Sequence, residues 1–242
     1  MSDSVKPYKE SSASKKEQVA QMFDNISHRY DFLNHFLSLG IDKLWRKKAV
    51  KLIRDSSPKQ ILDVATGTAD FAIETLSCKP TNVIGVDISE GMLEKGRQKI
   101  KRKGLGDVIQ LKYGDSENLP FEDDSFDAII VGFGVRNFEN LELGLNEMRR
   151  VLKKNGQVAI LELSKPKKFP VKQLYLFYFK LILPVIGRLF SKDTSAYTYL
   201  PDSVNAFPEG DKFVSMLSDV GYNNVKSKLL SGGIATIYSA FK

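Results

Sequence analysis

The sequence predicts an α/β fold, in which a mainly parallel sheet of seven strands carries helices on both faces. Two observations lead to this prediction. From Gln60 onward, short runs rich in valine and isoleucine alternate with longer stretches of helical character. The runs are continuously apolar, which is typical of strands buried on both faces of a parallel sheet. The alternation of strand with helix indicates repeated strand–helix–strand units.

The strands and helices can be assigned in chain order. The runs assigned to the parallel strands are ILDVA, NVIGVDI, VIQLKYGD, FDAIIVGFG and QVAILELS. The stretches assigned to helices are FAIETLS, GMLEKGRQKIKRKG and LELGLNEMRRVLKKNG, of which the last ends in an Asn-Gly stop signal. The helical EGDKFVSMLSDVGY follows, and NVKSKLL and ATIYSAF are then expected to form a closing hairpin around Ser231, Gly232 and Gly233.

The remaining segments frame this core. Residues 1–16 are polar and are interpreted as a flexible tail, while residues 17–242 form one domain. Residues 17–54 show helical spacing with a break at Gly40, and residues 165–200 interrupt the alternation with an aromatic, proline-containing insertion. We find no signal peptide, and no apolar run of about 18 residues that would span a membrane.

Charge and cysteine content narrow the function classes. The single cysteine, Cys78, excludes an internal disulfide and fits a reducing cytoplasm. The net charge is +7, and seven basic residues without any acid lie between residues 165 and 192, so the rest of the chain is close to neutral. These residues are Lys165, Lys167, Lys168, Lys172, Lys180, Arg188 and Lys192. Interleaved with aromatic side chains, they fit an anionic membrane or a nucleic acid.

Three features at strand ends predict a ligand site. A tight turn at Gly67 follows the first strand and lets backbone N–H groups approach a ligand. Asp87 ends the second strand, 20 residues after Gly67, where an acid commonly holds ribose hydroxyls. Asp115, after the third strand, can accept a hydrogen bond from an adenine amino group. Each acid could instead be a helix cap or a turn residue, but all three features fall where open α/β sheets bind ligands.

These segments resemble the successive motifs of class I methyltransferases, which use S-adenosylmethionine and have a Rossmann-like fold. The resemblance rests on ILDVATGTAD, VIGVDIS, GDSENLPF, SFDAIIVGFGVRN and EMRRVLKKNGQVAILELSKP. A dehydrogenase that binds NAD would keep a fuller Gly-x-Gly-x-x-Gly pattern. By the resemblance, Thr68, Asp87, Asp115 and Ser116 match positions that contact S-adenosylmethionine, together with the turn at Gly67.

Three further segments resemble the menaquinone/ubiquinone biosynthesis methyltransferase family. They are YDFLN with LGI and LWRK (residues 30–47), FGVRN (133–137) and ELSKP (162–166). The resemblance extends from about residue 17 to the C-terminus and implies methylation of a ring carbon of a polyprenylated quinol, with demethylmenaquinol as the expected substrate. Ala69 stands where this family often has glycine, and Gly132 where some members have serine. By the same resemblance, residues 17–54 are expected to form helices on the substrate side of the domain.

The chemistry of this reaction singles out residues for the acceptor. Only the reduced quinol is nucleophilic, and a cation would stabilise the oxyanion left when its hydroxyl loses a proton. Arg136 is the candidate, with Asn137 as a hydrogen-bonding neighbour, although Arg136 could instead clamp loop carbonyls. Tyr30 either lines the same pocket or packs in the core. His28 and His35 are candidate bases, with packing or surface positions as the alternative, and no cluster has metal-ligand spacing.

The insertion leaves two roles open. Residues 165–192 could cover the ring pocket and contact the lipid interface as a peripheral membrane element at the inner face of the membrane. Alternatively, they form a lid that packs on protein or on the second subunit of a homodimer. Two other functions remain in competition: methylation of another acceptor (a ubiquinone precursor, a small phenol, a sterol or an amine), and RNA binding or modification through the basic segment. No nucleic-acid partner is expected, because bulky aliphatic residues interleave with the basic ones and the chain contains no recognised RNA-binding module.

Overall fold

The computed structural model describes residues 5–31, 38–182 and 195–242. Its sheet has the strand order β3-β2-β1-β4-β5-β7-β6, parallel throughout except for β7, which is antiparallel to both of its neighbours. The strands are β1 (Gln60–Val64), β2 (Asn82–Asp87), β3 (Ile109–Tyr113), β4 (Phe126–Gly132), β5 (Leu152–Leu163), β6 (Asn223–Leu230) and β7 (Ala235–Phe241). This arrangement confirms the predicted Rossmann-like sheet and its closing hairpin.

Helices connect the strands and cover both faces. They are α1 (Lys15–Ile26), α2 (Ile41–Arg54), α3 (Asp70–Glu74), α4 (Glu90–Arg102), α5 (Leu141–Val151), α6 (Val171–Phe177), α7 (Ser195–Ala206) and α8 (Asp211–Asp219). Short 3₁₀ turns lie at Ser27–Arg29, Thr75–Cys78, Val135–Asn137 and Ser231–Gly233, and a π-helical turn at Tyr178–Ile182 continues α6. In the described ranges, no helix is long and apolar enough to cross a membrane.

The alternation of side chains along the central strands builds the core. On β1, Ile61 faces the cluster that includes α2, whereas Leu62 faces the cluster that includes α5 and α8. Ile130 and Ile129 on β4 divide in the same way. Each such side chain is fully buried and contributes about 1.5–3 kcal/mol through removal of apolar surface from water.

Two local expectations were wrong. The fifth helix ends at Val151, and the Asn-Gly pair that was expected to stop it lies inside β5, where residues 153–156 form an irregularity between Leu152 and Gln157. Asn155 adopts a left-handed φ of 63°, so the pair serves a bulge instead of a helix cap. Strand β3 is not buried on both faces, because it is the edge strand and Tyr113 is 64% exposed.

The N-terminal segment differs from the expected flexible tail. Helix α1 begins at Lys15 behind a capping box, in which Ser14 and Glu17 exchange hydrogen bonds between side chain and backbone. Before it, the apolar side chains of Val5 and Tyr8 pack against the surface formed by α1 and α7. Apolar contact therefore places residues 5–14 on the domain, despite their polar composition.

Candidate functional site

A cleft opens at the carboxyl ends of β1, β2, β3 and β4, and we call it the strand-end cleft. Its walls include five residues that the sequence had singled out: Gly67, Asp87, Asp115, Ser116 and Asn137. Helix α1 lies across it through Lys16, Val19 and Phe23. The strand order changes direction between β1 and β4, and ligands of open α/β sheets bind at such a switch point.

The turn after β1 is bent by three left-handed residues. Ala65, Gly67 and Ala69 have φ values of 54°, 56° and 68°. A Cβ atom at Gly67 would meet nothing within 4 Å, so the turn leaves open space on the side of the cleft. Ala69 caps α3 in a conformation that costs an L-residue roughly 1–2 kcal/mol. The strain therefore falls on the residue at which the resemblance to the family leads us to expect glycine.

Asp87 is held at the end of β2 by backbone donors. Its carboxylate accepts hydrogen bonds from Gly67 N at 2.7 Å and from Ser89 N at 2.9 Å. Burial nevertheless raises the pKa of Asp87 to about 6. Asp63 lies fully buried on β1 and accepts from the Thr66 hydroxyl at 2.7 Å, and burial raises its pKa to about 7. Sequence reasoning did not identify Asp63, because an acid inside an apolar run gives no signal of its environment.

The third strand end brings an acid under helix α1. One Asp115 oxygen accepts from Glu117 N at 2.9 Å, and the other pairs with the ammonium of Lys16. Neighbouring Lys15 donates from its ammonium to the carbonyls of Arg136 and Phe138, at 3.1 and 2.7 Å. Burial lowers the pKa of Lys15 to about 8. Helix α1 is thus fastened to two strand-end loops at once, which no local sequence pattern indicated.

Thr68 does not line the cleft in this structure. Its buried hydroxyl donates to Asp31 and accepts from the Lys99 ammonium at 3.1 Å. Lys99 also pairs with Asp31 and with Asp70, each at 2.6 Å. Because Asp31 follows Tyr30 in the chain, this cluster joins the turn of the cleft to the segment that carries Tyr30.

Arg136 lies in the 3₁₀ turn after β4 and is almost completely buried. Its guanidinium donates to Glu162 at 2.8 Å and to the carbonyl of Phe133, and its backbone N–H also faces Glu162 at 3.3 Å. Glu162 is fully buried, which raises its pKa despite the opposing effect of the Arg136 charge. Arg136 therefore does clamp a loop carbonyl, which was the alternative role considered for it from the sequence. The Nε atom of Arg136, however, has no hydrogen-bond partner among the described residues.

Asn137 completes this turn on the side of the strand-end cleft. Its amide nitrogen donates to the Phe133 carbonyl at 3.4 Å. Its Oδ1 atom is buried and finds no partner in the described part of the chain. A buried acceptor of this kind normally has a donor, so the arrangement fits a ligand in the cleft that brings one.

A second cavity of about 700 Å³ adjoins the cleft, and we call it the apolar cavity. Helices α1, α2, α6 and α7 contribute its walls, among them Trp45, Leu174, Tyr175, Phe179 and Tyr199. Arg136 lines it as well, so a cation lies in a wall that is otherwise mostly apolar. Phe23, Tyr30 and Phe133 line both the strand-end cleft and the apolar cavity. A molecule in one can therefore meet a molecule in the other at these aromatic side chains.

The other candidate residues lie elsewhere. His28 is exposed in the turn Ser27–Arg29 and lines neither space, while His35 and Asn34 fall outside the described residues. Within the described ranges no group of histidine, cysteine and acidic side chains is arranged to hold a metal. Tyr30 lines both spaces, and burial raises its pKa to about 12, so the phenol is protonated at neutral pH.

Comparison with known proteins agrees with this geometry. A demethylmenaquinone methyltransferase of Bacteroides fragilis is 50% identical over 99% of this chain and 98% of its own length. A protein of Geotalea daltonii, named ubiquinone/menaquinone biosynthesis C-methyltransferase UbiE, is 48% identical over 94% of this chain and 97% of its own length. A demethylmenaquinone methyltransferase of Porphyromonas gingivalis is 44% identical over 99% and 98%.

Solved structures share the fold at much lower identity. A SAM-dependent methyltransferase of Thermotoga maritima, described as a possible histamine N-methyltransferase, superposes with a TM-score of 0.62 at 19% identity, over 92% of this chain and 99% of its own. A protein of Methanococcus maripaludis, described as a putative S-adenosyl-L-methionine-dependent methyltransferase, superposes with a TM-score of 0.61 at 20% identity, over 97% of both chains. The model of the ubiE/COQ5 methyltransferase family matches residues 11–242, and this chain belongs to that family.

Proposed function

We propose that this protein transfers a methyl group from S-adenosylmethionine to a ring carbon of a reduced, polyprenylated naphthoquinol, converting demethylmenaquinol to menaquinol. The observation that carries the proposal is the junction of the two spaces. A polar strand-end cleft suited to the cofactor opens at Phe23, Tyr30 and Phe133 onto an apolar cavity of about 700 Å³. The names of the most similar relatives support the choice of acceptor.

The residues of the strand-end cleft fit the cofactor. Asp87 would accept hydrogen bonds from the ribose hydroxyls, and Asp115 and Ser116 would face the adenine. The open turn at Gly67 would leave space for the remaining part of the cofactor. The Oδ1 atom of Asn137 has no donor among the described residues, which suits the α-amino group of the cofactor's methionine part. Thr68 would act indirectly, by fixing the turn to Asp31. When bound, S-adenosylmethionine supplies an electrophilic methyl group and leaves as S-adenosylhomocysteine.

The acceptor side needs an electron-rich ring carbon in line with the methyl and sulfur. A new C–C bond forms as the C–S bond breaks, and the ring carbon then releases its proton to solvent. Loss of a quinol hydroxyl proton increases the nucleophilicity of the ring. Arg136 would stabilise the resulting oxyanion through its positive charge, and Glu162 holds it in place. Tyr30 would lie beside the ring, where the two spaces meet.

We further propose that the enzyme collects its substrate at a membrane surface. Helix α6 and the turn after it carry exposed apolar side chains, including Leu174, Phe177 and Leu181 at 65%, 55% and 57% exposure. Leu174 and Phe177 also line the apolar cavity, so the exposed face is continuous with the proposed acceptor site. Basic side chains are exposed at the start of this segment, where they can meet anionic head groups: Lys167, Lys168 and Lys172.

A flotation experiment tests the membrane proposal. Each basic residue near an anionic surface contributes about 1 kcal/mol, so changing Lys167, Lys168 and Lys172 to Glu should weaken binding to phosphatidylglycerol liposomes by at least about 100-fold. The matched control changes three exposed basic residues at the end of α4 to Glu: Lys101, Arg102 and Lys103. Equal flotation of the α6 variant and the wild type would reject the membrane role and leave a lid or a dimer contact.

A labelling experiment tests the reaction. The protein is incubated with methyl-labelled S-adenosylmethionine and, in separate reactions, with demethylmenaquinol under dithionite, its oxidised quinone, a demethoxy-ubiquinol precursor and total RNA. We expect label in menaquinol and none in the oxidised quinone, because the quinone ring is not nucleophilic. Label in RNA alone, or equal label in quinone and quinol, would refute the proposed function. Preferential label in the ubiquinol precursor would replace naphthoquinol with benzoquinol as the acceptor.

A further inference from the structure

Tyr199 on α7 stands out among the residues that line the apolar cavity. It is only 3% exposed, and its hydroxyl is buried without a hydrogen-bond partner in the described part of the chain. A buried phenol normally finds a partner, because burying a hydroxyl without a hydrogen bond is unfavourable. Tyr222 and Tyr238, which are also buried, follow the rule through the Leu145 carbonyl at 3.3 Å and the Gly210 N–H at 2.8 Å. Of these three buried tyrosines, the one without a partner in the described residues is Tyr199, which lines the apolar cavity.

A second unsatisfied donor belongs to the same cavity. The Nε atom of Arg136 is buried without a partner among the described residues, although the guanidinium is held by Glu162. Helix α7 packs directly against the turn Val135–Asn137 that carries Arg136. Burial raises the pKa of Tyr199 to about 12, against the opposing effect of the Arg136 charge, so its hydroxyl is a donor at neutral pH. Tyr199 and Arg136 therefore each carry a donor that has no acceptor among the described residues. The two residues lie on adjoining elements that line the apolar cavity.

We propose that Tyr199 is an acceptor-binding residue, whose hydroxyl donates, together with Arg136 Nε, to one ring oxygen of the quinol. This inference rests on the proposed function and adds the group that recognises the ring. Two donors directed at one oxygen favour an oxyanion over a neutral carbonyl, since hydrogen bonds to a charged acceptor are roughly twice as strong. Tyr199 keeps its proton throughout, and it lowers the pKa of the bound quinol hydroxyl.

The cavity then performs two separate tasks. The apolar walls bind the prenyl tail without regard to the oxidation state of the ring. The pair of donors then discriminates at the ring oxygen, where the reduced and ionised form gains most. Two donors also hold the ring at a fixed angle to the methyl group, which raises the rate of the transfer as well as the affinity.

The variant Tyr199→Phe tests this role, with Tyr222→Phe as the matched control. Both remove one hydroxyl from a buried ring, but the Tyr222 hydroxyl faces a backbone carbonyl away from both spaces. For a short-tailed demethylnaphthoquinol we expect kcat/KM of Tyr199→Phe to fall by about 10- to 100-fold. The rising limb of kcat against pH should move up by about one pH unit, whereas Tyr222→Phe should leave it in place. Affinity for S-adenosylhomocysteine should be unchanged.

A change in the substrate gives the same test without altering the protein. The analogue in which both ring hydroxyls are methyl ethers cannot form an oxyanion, so Tyr199→Phe should weaken its binding much less than it weakens binding of the quinol. Trp45, the single tryptophan of the chain, lines the cavity, and quenching of its fluorescence measures this binding directly. Unchanged kcat/KM and pH profile in Tyr199→Phe, while the wild type still methylates the quinol, would overturn the assignment and leave the proposed function intact. A wild type that methylates no quinol would overturn the function itself.

Discussion

Replacing Asp87 with Asn should have opposite effects on cofactor binding and on stability. The carboxylate already accepts from Gly67 N and Ser89 N, and it keeps lone pairs for the two ribose hydroxyls. An asparagine offers one acceptor oxygen and presents an amino group to donors. We expect affinity for S-adenosylhomocysteine to fall by about 10- to 150-fold, corresponding to the loss of about 1.5–3 kcal/mol.

The stability of the free protein should move the other way. Burial raises the pKa of Asp87 from 3.8 to about 6, so the folded state binds more protons than the unfolded state between those pH values. Stability contributed by this group therefore falls as pH rises through that window, and the full penalty of about 3 kcal/mol is present above pH 6. The Asn variant removes the penalty but loses one hydrogen bond, which leaves a net gain of about 1–2 kcal/mol at pH 8.

Two assays measure these effects. Calorimetric titration with S-adenosylhomocysteine gives the affinity, and urea unfolding without ligand at pH 8 and pH 5 gives the stability. Asp127→Asn is the matched control, because Asp127 accepts from the backbone of residues 59 and 60 at the opposite ends of the strands, and the Lys153 ammonium helps to lower its pKa. Unchanged affinity of the Asp87 variant would remove the ribose assignment. A loss of stability equal at both pH values would show that the buried charge does not determine the difference.

Three further substitutions test the structure. Ala69→Gly should raise the free energy of unfolding by about 0.5–1 kcal/mol, because it relieves the left-handed φ of 68°; an unchanged urea midpoint would show no strain there. Glu162→Gln should lower it by about 3 kcal/mol, because the buried Arg136 charge loses its counter-ion, and a stable variant would contradict this. Lys99→Met should raise KM for the quinol, because Asp31, which follows Tyr30 in the chain, loses the cation that it pairs with. A normal KM for the quinol together with a changed cofactor affinity would show that Lys99 acts on the strand-end cleft instead.

The sequence by itself determined the order and type of most elements and two strand-end acids of the cleft. Continuous apolar runs specify strands buried by helices on both faces, and parallel strands bring their carboxyl ends to one edge of the sheet. The order of the strands alone therefore requires Asp87 and Asp115 to lie at the same edge of the sheet. The helix stop predicted from the Asn-Gly pair was wrong, because a left-handed residue can end a helix and can equally form a bulge, as it does in β5.

Only the tertiary structure decided which side chains meet across the site. Thr68 belongs to a cofactor motif, yet its hydroxyl turns to Asp31 and Lys99, because α4 and the N-terminal segment pack behind the turn. Tyr199 stands in an aromatic stretch without a motif. That its hydroxyl has no partner in the described part of the chain becomes visible only when α7 packs beside Arg136. Periodicity records which face of an element is buried, but it does not record which distant element covers that face, and the partners of buried polar groups depend on the latter.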